Sequence, residues 1–259
     1  MSGRVVVVTG STSGIGVGIA RRFALDGDRV VVHGRSVERG EAVVDDLRAQ
    51  APGADVRLFL GDLTDPAIPE RLITFARQVT GSVDVLVNNA GTNVFTGVLT
   101  STLGDWEHAI ALDLRAAWLC AKAAAPLMPR GSAIVNIGSN HAWSTLPGSF
   151  PYNVAKAGLV ALTQSLAMEL APLGIRANLV APGYVDTPLG DAWFDQFPDP
   201  EAERARVRGL QPVGRMGTPD DVARAVRYLA SAEESGFVTG TTLLLDGGRA
   251  TLLEDPRGD

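Results

Sequence analysis

The sequence has one cysteine and three histidines among 259 residues, an excess of acidic over basic side chains, and no long apolar run. The single thiol, Cys120, excludes a disulfide framework within the chain and predicts a reducing, cytoplasmic setting. His33, His108 and His141 do not gather with Asp, Glu or Cys at ligand spacing, so no metal is expected. No window reaches the ~18 consecutive apolar residues of a membrane span, and no membrane partner is expected. Met-Ser-Gly-Arg leads straight into Val5–Val8 without a basic region, apolar stretch and cleavage site, which predicts a protein that is not exported. With 23 Lys and Arg against 29 Asp and Glu, and no basic stripe, nucleic acid is not an expected partner.

What is present is a large apolar fraction, 46% of the chain, enough for a buried core and contrary to the disordered and fibrous classes. Apolar runs of strand length recur at Val5–Val8, Val30–Val32, Val56–Leu60, Val83–Val87, Ala133–Ile137, Arg176–Val180 and Thr242–Leu245. They are β-branched and largely continuous, as in strands covered on both faces of a parallel sheet. Between them lie helical stretches: Gly16–Leu25, Val37–Ala49, Pro66–Gln78, Trp106–Leu127, Tyr152–Leu170 and Pro219–Ala230. Alternation of this kind predicts an α/β fold, doubly wound, with a mostly parallel sheet of about seven strands. No repeat or linker divides the chain, so residues 1–259 read as one Rossmann-type domain.

The stretch Gly183–Gly214 breaks the rhythm, carrying Trp193, Phe194, Phe197 and the prolines Pro188, Pro198, Pro200 and Pro212. It is either a surface excursion or, over 184–214, a lid on a substrate pocket, since loops at the carboxyl ends of the strands build such sites; its aromatic content favours the lid. The tail 249–259 is charged and either frays or packs on a neighbouring subunit.

Thr9-Gly10-Ser11-Thr12-Ser13-Gly14-Ile15-Gly16 follows a strand and opens a helix. In that context the glycines suit a dinucleotide. Gly10 permits the tight turn, Gly14 the approach of a pyrophosphate, and Gly16 close packing of helix on strand, while the helix N-terminus offers free N–H groups. At the end of the second strand an NAD site usually has an acid for the ribose 2′-hydroxyl. Here stands Val32-His33-Gly34-Arg35-Ser36. Arg35 and Ser36 can hold a 2′-phosphate, so NADP is favoured and NAD remains open. Ser13 adds no second basic contact.

Tyr152-Asn153-Val154-Ala155-Lys156 sets a phenol and an ammonium at i and i+4 on one helical face. A nearby cation favours the phenolate, which would let Tyr152 act as general acid and base near neutral pH. Ser139, just after the strand Ala133–Ile137, offers a hydroxyl to the carbonyl oxygen that Tyr152 protonates.

With these pieces the chain resembles the short-chain dehydrogenase/reductase family over nearly its whole length. The matching motifs stand in order: Thr9–Gly16, Asp62-Leu63, Asn88-Asn89-Ala90-Gly91, Ser139, Tyr152 with Lys156, Pro182-Gly183 and Asp246-Gly247-Gly248. The resemblance implies an NAD(P)(H)-dependent oxidoreductase with Ser139, Tyr152, Lys156 and the residue at 113 as its catalytic set. It implies that Asp62 and Leu63 hold the adenine and that Asn89, Ala90 and Gly91 close the underside of the cofactor. Lys156 and Tyr152 would meet the nicotinamide ribose. Thr187 would hold the carboxamide, with Pro182, Gly183 and Val185 beside it. It also implies a homotetramer or homodimer, with the helices around Trp106–Leu127 and Tyr152–Leu170 at the main interface.

One position departs from the family pattern. Where the family has Asn after the Trp of this helix, kinking it and holding a water next to the lysine, this chain has Asp113. A main-chain carbonyl would hold the water equally well; a carboxylate cannot donate as an amide does. An added negative charge would also raise the lysine pKa and blunt its effect on Tyr152.

Asn93, Asn140, His141, Trp143, Tyr184 and Trp193 are the expected substrate-facing residues. Asn93, Asn140 and His141 suggest a sugar, polyol or other small polar ketone; Trp143 and Phe150 could equally form an apolar wall, and a 3-oxoacyl thioester is a further candidate. A redox sensor without turnover, or a lyase or epimerase on the same scaffold, is the alternative class. The Tyr152–Lys156 pair argues against the sensor.

Overall fold

Four consecutive valines, Val5–Val8, need cover on both sides when they form a strand, and in the computed structural model all four are buried. The structure describes residues 3–252. Of the tail, Arg249–Thr251 forms a short 3-10 turn, and residues 253–259 lie outside the described residues.

Seven strands, β1 (Val5–Val8), β2 (Arg29–Gly34), β3 (Val56–Leu60), β4 (Val85–Asn88), β5 (Ala133–Ile137), β6 (Arg176–Pro182) and β7 (Thr242–Leu245), form one sheet in the order β3-β2-β1-β4-β5-β6-β7. Every pairing is parallel. The order runs one way from β1 to β3 and the other way from β4 onward, so a crevice opens at the carboxyl ends of β1 and β4.

One face is covered by α1 (Gly14–Leu25), α2 (Val37–Gln50) and α9 (Pro219–Ala230), whose Ile19, Phe23, Leu47, Val222 and Leu229 pack on Val6, Val8, Val30 and Val85. The other is covered by α3 (Ile68–Thr80), α5 (Ala116–Ala124) and α6 (Tyr152–Leu170), where Leu72, Ile73, Cys120 and Ala167 meet Val7, Val31, Leu86 and Ile134. Odd and even valines of β1 thus serve opposite cores, as the two-residue period of a strand requires.

Two stretches differ from the sequence expectation. The helix expected over 106–127 begins earlier, as α4 (Leu103–Ile110), because Thr102 and Asp105 form a reciprocal capping box. It then widens into a π turn at Ala111–Arg115 before α5. The stretch 183–214 is not irregular: it holds α7 (Pro188–Phe194) and α8 (Pro200–Gly209). Its prolines at 188 and 200 sit at first helical positions, where a missing N–H costs nothing, and Thr187 and Asp199 cap the two helices by accepting N–H bonds. A further short helix, α10 (Ala232–Ser235), follows α9.

By length and composition α6 could cross a membrane. Its middle is tied instead to the sheet by a buried polar chain. The Asn88 amide donates to Asn136 Oδ1 (2.9 Å) and the Asn136 amide to Thr163 Oγ1 (2.8 Å). The Thr163 hydroxyl then donates to the Leu159 carbonyl (2.7 Å). Links of this kind fix a helix in rotation as well as position. Replacing Asn136 with leucine should leave the Asn88 amide and the Thr163 oxygen short of partners and cost about 2 kcal/mol, read from urea unfolding.

His33 performs the matching task at the other end of the crevice. Its Nδ1 accepts the Gly10 N–H (3.1 Å) and its Nε2 lies 3.1 Å from the Gly61 carbonyl, a pairing that assigns the ring hydrogen to Nε2. Burial pushes its pKa down from 6.5 to about 4. The neutral ring therefore stabilises the fold fully above pH 6.5, and that contribution, about 3 kcal/mol, is lost as pH falls toward 4. Melting temperature should drop over that interval, and His33→Asn should flatten the slope while lowering the plateau.

Candidate active site

The chain leaves β1 into the glycine loop with φ of +62° at Gly10 and +54° at Gly14, a region L side chains avoid. A Cβ at Gly14 would meet only the Thr187 side chain, at 3.3 Å, so the backbone there is open to a ligand. Ser13 precedes α1 without its hydroxyl capping any N–H. The first-turn N–H groups therefore lack a side-chain partner, as a pyrophosphate site requires. The Asn89 amide donates to the Thr9 and Gly10 carbonyls (2.9 and 3.0 Å), and Thr9 Oγ1 accepts the N–H groups of Asn89 and Ala90. These bonds lock the ends of β1 and β4 together under the crevice.

The cleft has a volume of about 760 Å³ and runs from Arg35, Ser36 and Asp62 past the glycine loop to Ser139, Tyr152 and Lys156, ending at Tyr184 and Trp193. Thr12, Ser13, Ile15, Leu63, Ala90, Gly91, Pro182, Gly183, Val185 and Thr187 also line it. Ser11 does not. It is buried, donates through Oγ to the Val8 carbonyl and accepts the His33 N–H, and so braces β1 against β2. Gly16 likewise stands behind the loop, where a Cβ would lie 2.4 Å from the Gly10 carbonyl oxygen.

At the Arg35 end of the cleft the exposed guanidinium lies 3.6 Å from Asp62 Oδ2. Hydrogen bonds from Thr64 hold the Asp62 carboxyl below the ordinary aspartate pKa, with Arg35 adding to the effect. Ser36 caps α2, accepting the Arg39 N–H and donating to Glu38.

Ser139 follows β5 and is buried; its Oγ accepts the His141 N–H (3.2 Å) and starts the turn Asn140–Ala142. Tyr152 opens α6, and Lys156, one turn on, donates to the Ile137 carbonyl (3.3 Å). The Lys156 Nζ lies 5.5 Å from the centre of the Tyr152 ring. On its other side, 3.1 Å away, is Asp113 Oδ1. Asp113 is the middle residue of the π turn, is buried, and accepts the Thr92 N–H (3.2 Å). Gly91 makes room for the pair: a Cβ there would fall 2.4 Å from Asp113 Oδ1 and 3.2 Å from Lys156 Nζ.

Burial raises the Tyr152 pKa; Lys156 and then Ser139 pull it back, and Asp113 opposes them. For Lys156, burial alone would lower the pKa, but Asp113 and then Tyr152 carry it above the ordinary lysine value. Burial also raises the Asp113 pKa against the pull of Lys156.

The far half of the cleft is more aromatic than the sequence suggests. Phe95 meets Tyr152 edge-on at 5.2 Å, and His141 stands 5.9 Å from Phe95 and 5.8 Å from Tyr152. Burial lowers the His141 pKa, and its Nδ1 pairs with Thr145 Oγ1 at 3.1 Å. Asn93 and Asn140 line the cleft as expected, whereas Trp143 does not: it is half exposed and outside the walls. Phe95, Leu146 and Leu189 line it without having been singled out. For Phe95 the signal was its place two residues past Asn93.

Comparison with known proteins agrees with this geometry. A family model described as enoyl-(acyl carrier protein) reductase matches residues 10–250. An uncharacterized oxidoreductase of Schizosaccharomyces pombe is 40% identical, over 96% of this chain and 91% of that protein. Dehydrogenase/reductase SDR family member 4 of Sus scrofa is 35% identical, over 98% and 89%. Among solved structures, a blue fluorescent protein from a metagenomic library, in complex with NADPH, superposes with a TM-score of 0.87 at 34% identity, covering 96% of this chain and 98% of that one. A tyrosine and a lysine one helical turn apart at a switch-point cleft, with relatives matched along almost the full length, place this chain in the short-chain dehydrogenase/reductase family, as an NAD(P)-binding oxidoreductase acting between CH–OH and C=O groups.

Proposed function

We propose that the protein is an NADP(H)-preferring carbonyl reductase and alcohol dehydrogenase for neutral ketones or secondary alcohols with an apolar body. The observation that carries this is a single cleft with Arg35 at one end and the Ser139, Tyr152 and Lys156 groups under an aromatic wall at the other. The cradle at Gly14 and the uncapped start of α1 fit a pyrophosphate, and the exposed guanidinium of Arg35 suits a 2′-phosphate. When bound, the nicotinamide supplies or accepts the hydride.

The chain's own residues do the rest. Ser139 donates to the substrate oxygen and fixes its direction. Tyr152 delivers the proton to that oxygen in reduction and takes it back in oxidation, and Lys156 holds the charge that eases the transfer. Phe95, Tyr184, Leu189 and Trp193 give apolar surface and exclude water. Sugars and polyols remain within reach of Asn93 and Asn140, and 3-oxoacyl thioesters are a third class, but the neutral His141 and the ring cluster favour a ketone on an apolar frame. Support for NADPH also comes from the likeness to the metagenomic protein solved with it.

The same reading assigns a homodimer or homotetramer closed by α5 and α6, which leave Trp118 and Met168 exposed. It also assigns cytoplasmic work, which the buried lone thiol of Cys120 suits.

Tyr152→Phe should lower turnover about 10²- to 10⁴-fold while cofactor affinity holds, measured by nicotinamide absorbance over a panel of ketones, sugars, polyols and 3-oxoacyl thioesters. Turnover that survives the substitution, or silence of the native protein across the panel despite cofactor binding, would turn the assignment toward a sensor or a non-redox activity. Arg35→Ala should weaken NADPH about tenfold and leave NADH unchanged, read by fluorescence titration. Equal loss for both would remove the 2′-phosphate assignment.

A further inference from the structure

A buried ammonium needs a counter-charge or a large desolvation cost. In this chain Lys156 has the carboxyl group of Asp113 3.1 Å from its Nζ and as buried as itself. The contact is built: the π turn carries Asp113 inward, the Thr92 N–H steadies the carboxylate, and Gly91 leaves space that any side chain would fill.

We propose that Asp113 is a positioning residue of the acid–base site, whose carboxylate fixes Lys156 as an ammonium and offsets part of its field at Tyr152, so that at neutral pH the phenol keeps its proton and the site is poised to donate it. This rests on the carbonyl reductase reading and adds a direction to it. Reduction draws on a protonated tyrosine, whereas oxidation needs the phenolate, so the paired carboxylate favours reduction at neutral pH and delays oxidation to alkaline pH.

The groups around the phenol and the ion pair are few. From α6 there is Lys156, from the end of β5 the Ser139 hydroxyl, and from the turn after it His141, which burial keeps neutral. Asp113 faces Lys156, the Thr92 N–H and, along α4, the exposed His108, whose positive form would favour the carboxylate. Removing the charge at 113 leaves the Lys156 field at Tyr152 without its opposing partner. While Lys156 stays an ammonium, held by the Ile137 carbonyl and by Tyr152 itself, the phenolate becomes easier to form.

The test needs neither cofactor nor substrate. The chain has three tyrosines, Tyr152, Tyr184 and Tyr228, and phenolate absorbance against pH, taken as the difference from the matching Tyr152→Phe protein, isolates Tyr152. In Asp113→Asn the Tyr152 midpoint should fall by about one unit or more. Asp113→Ser, smaller and uncharged, should move it the same way and guards against a folding defect peculiar to the first variant. In turnover, the alkaline limb of alcohol oxidation should move down by the same interval in kcat, with KM little changed.

A midpoint that stays or rises in both variants overturns the proposal, as does a Tyr152 that ionises in none of the proteins before alkaline unfolding. Loss of the redox reading is seen separately, as absence of turnover in the native enzyme with the titration intact.

Discussion

The charge on Lys156 is the constraint around which the cleft is organised. A cation held out of water beside a phenol requires polar or charged neighbours. The Ile137 carbonyl supplies one, Asp113 another, and the Tyr152 ring a third. Each comes from a different element, so the position of the ammonium depends on β5, the π turn and the first turns of α6 being held together. The buried chain Asn88–Asn136–Thr163 does this from below, tying β4 and β5 to the middle of α6.

The cofactor end follows the same logic with backbone instead of charge. Gly10 turns sharply, and its N–H is received by the buried, neutral His33, whose other nitrogen reaches the end of β3. Ser11 closes the gap between β1 and β2 by accepting one bond and donating another. Two residues that a ligand-centred reading assigns to the cofactor or passes over thus shape the loop that meets it. Pre-formed donors in a fixed loop need little reorganisation when an anion arrives.

How much of this was legible in the sequence depends on the range of the interaction. The strands were legible because Val5–Val8 and its counterparts are continuous apolar runs, and Tyr152 with Lys156 because a helix fixes neighbours at i and i+4. The helices within 183–214 were missed because proline reads as a breaker, although at the first helical position it is a starter. The π turn could be expected only through the resemblance. The meeting of Asp113 with Lys156 joins distant parts of the chain through the packing of α4, α5 and α6, and the resemblance placed the two near each other without fixing the contact. The departure of Trp143 from the cleft, and the arrival of Phe95, belong to the same class. The position of Phe95 depends on how the segment after β4 clips to Phe150 and Pro151.

The cover over the far end limits which side chains can speak to a substrate. Phe194 is buried with Val207 and Met216 in a small core of its own, and Trp193 packs at 5.0 Å on Phe194 and 4.8 Å on Phe197. Arg204 lies over the Phe194 ring and pairs with Asp186 and Asp191. These contacts hold α7 and α8 as one unit, so most of the aromatic content that marks this stretch in the sequence is used in its own packing. Tyr184 and Trp193, 6.1 Å apart, are the rings from this unit that also line the cleft. The wall at that end of the cleft therefore presents two flat faces, Tyr184 and Trp193, with Phe95 and His141 elsewhere in its lining. Such surfaces grade ligands by shape and apolar area, and a single missing methylene is worth only about 1–3 kcal/mol there.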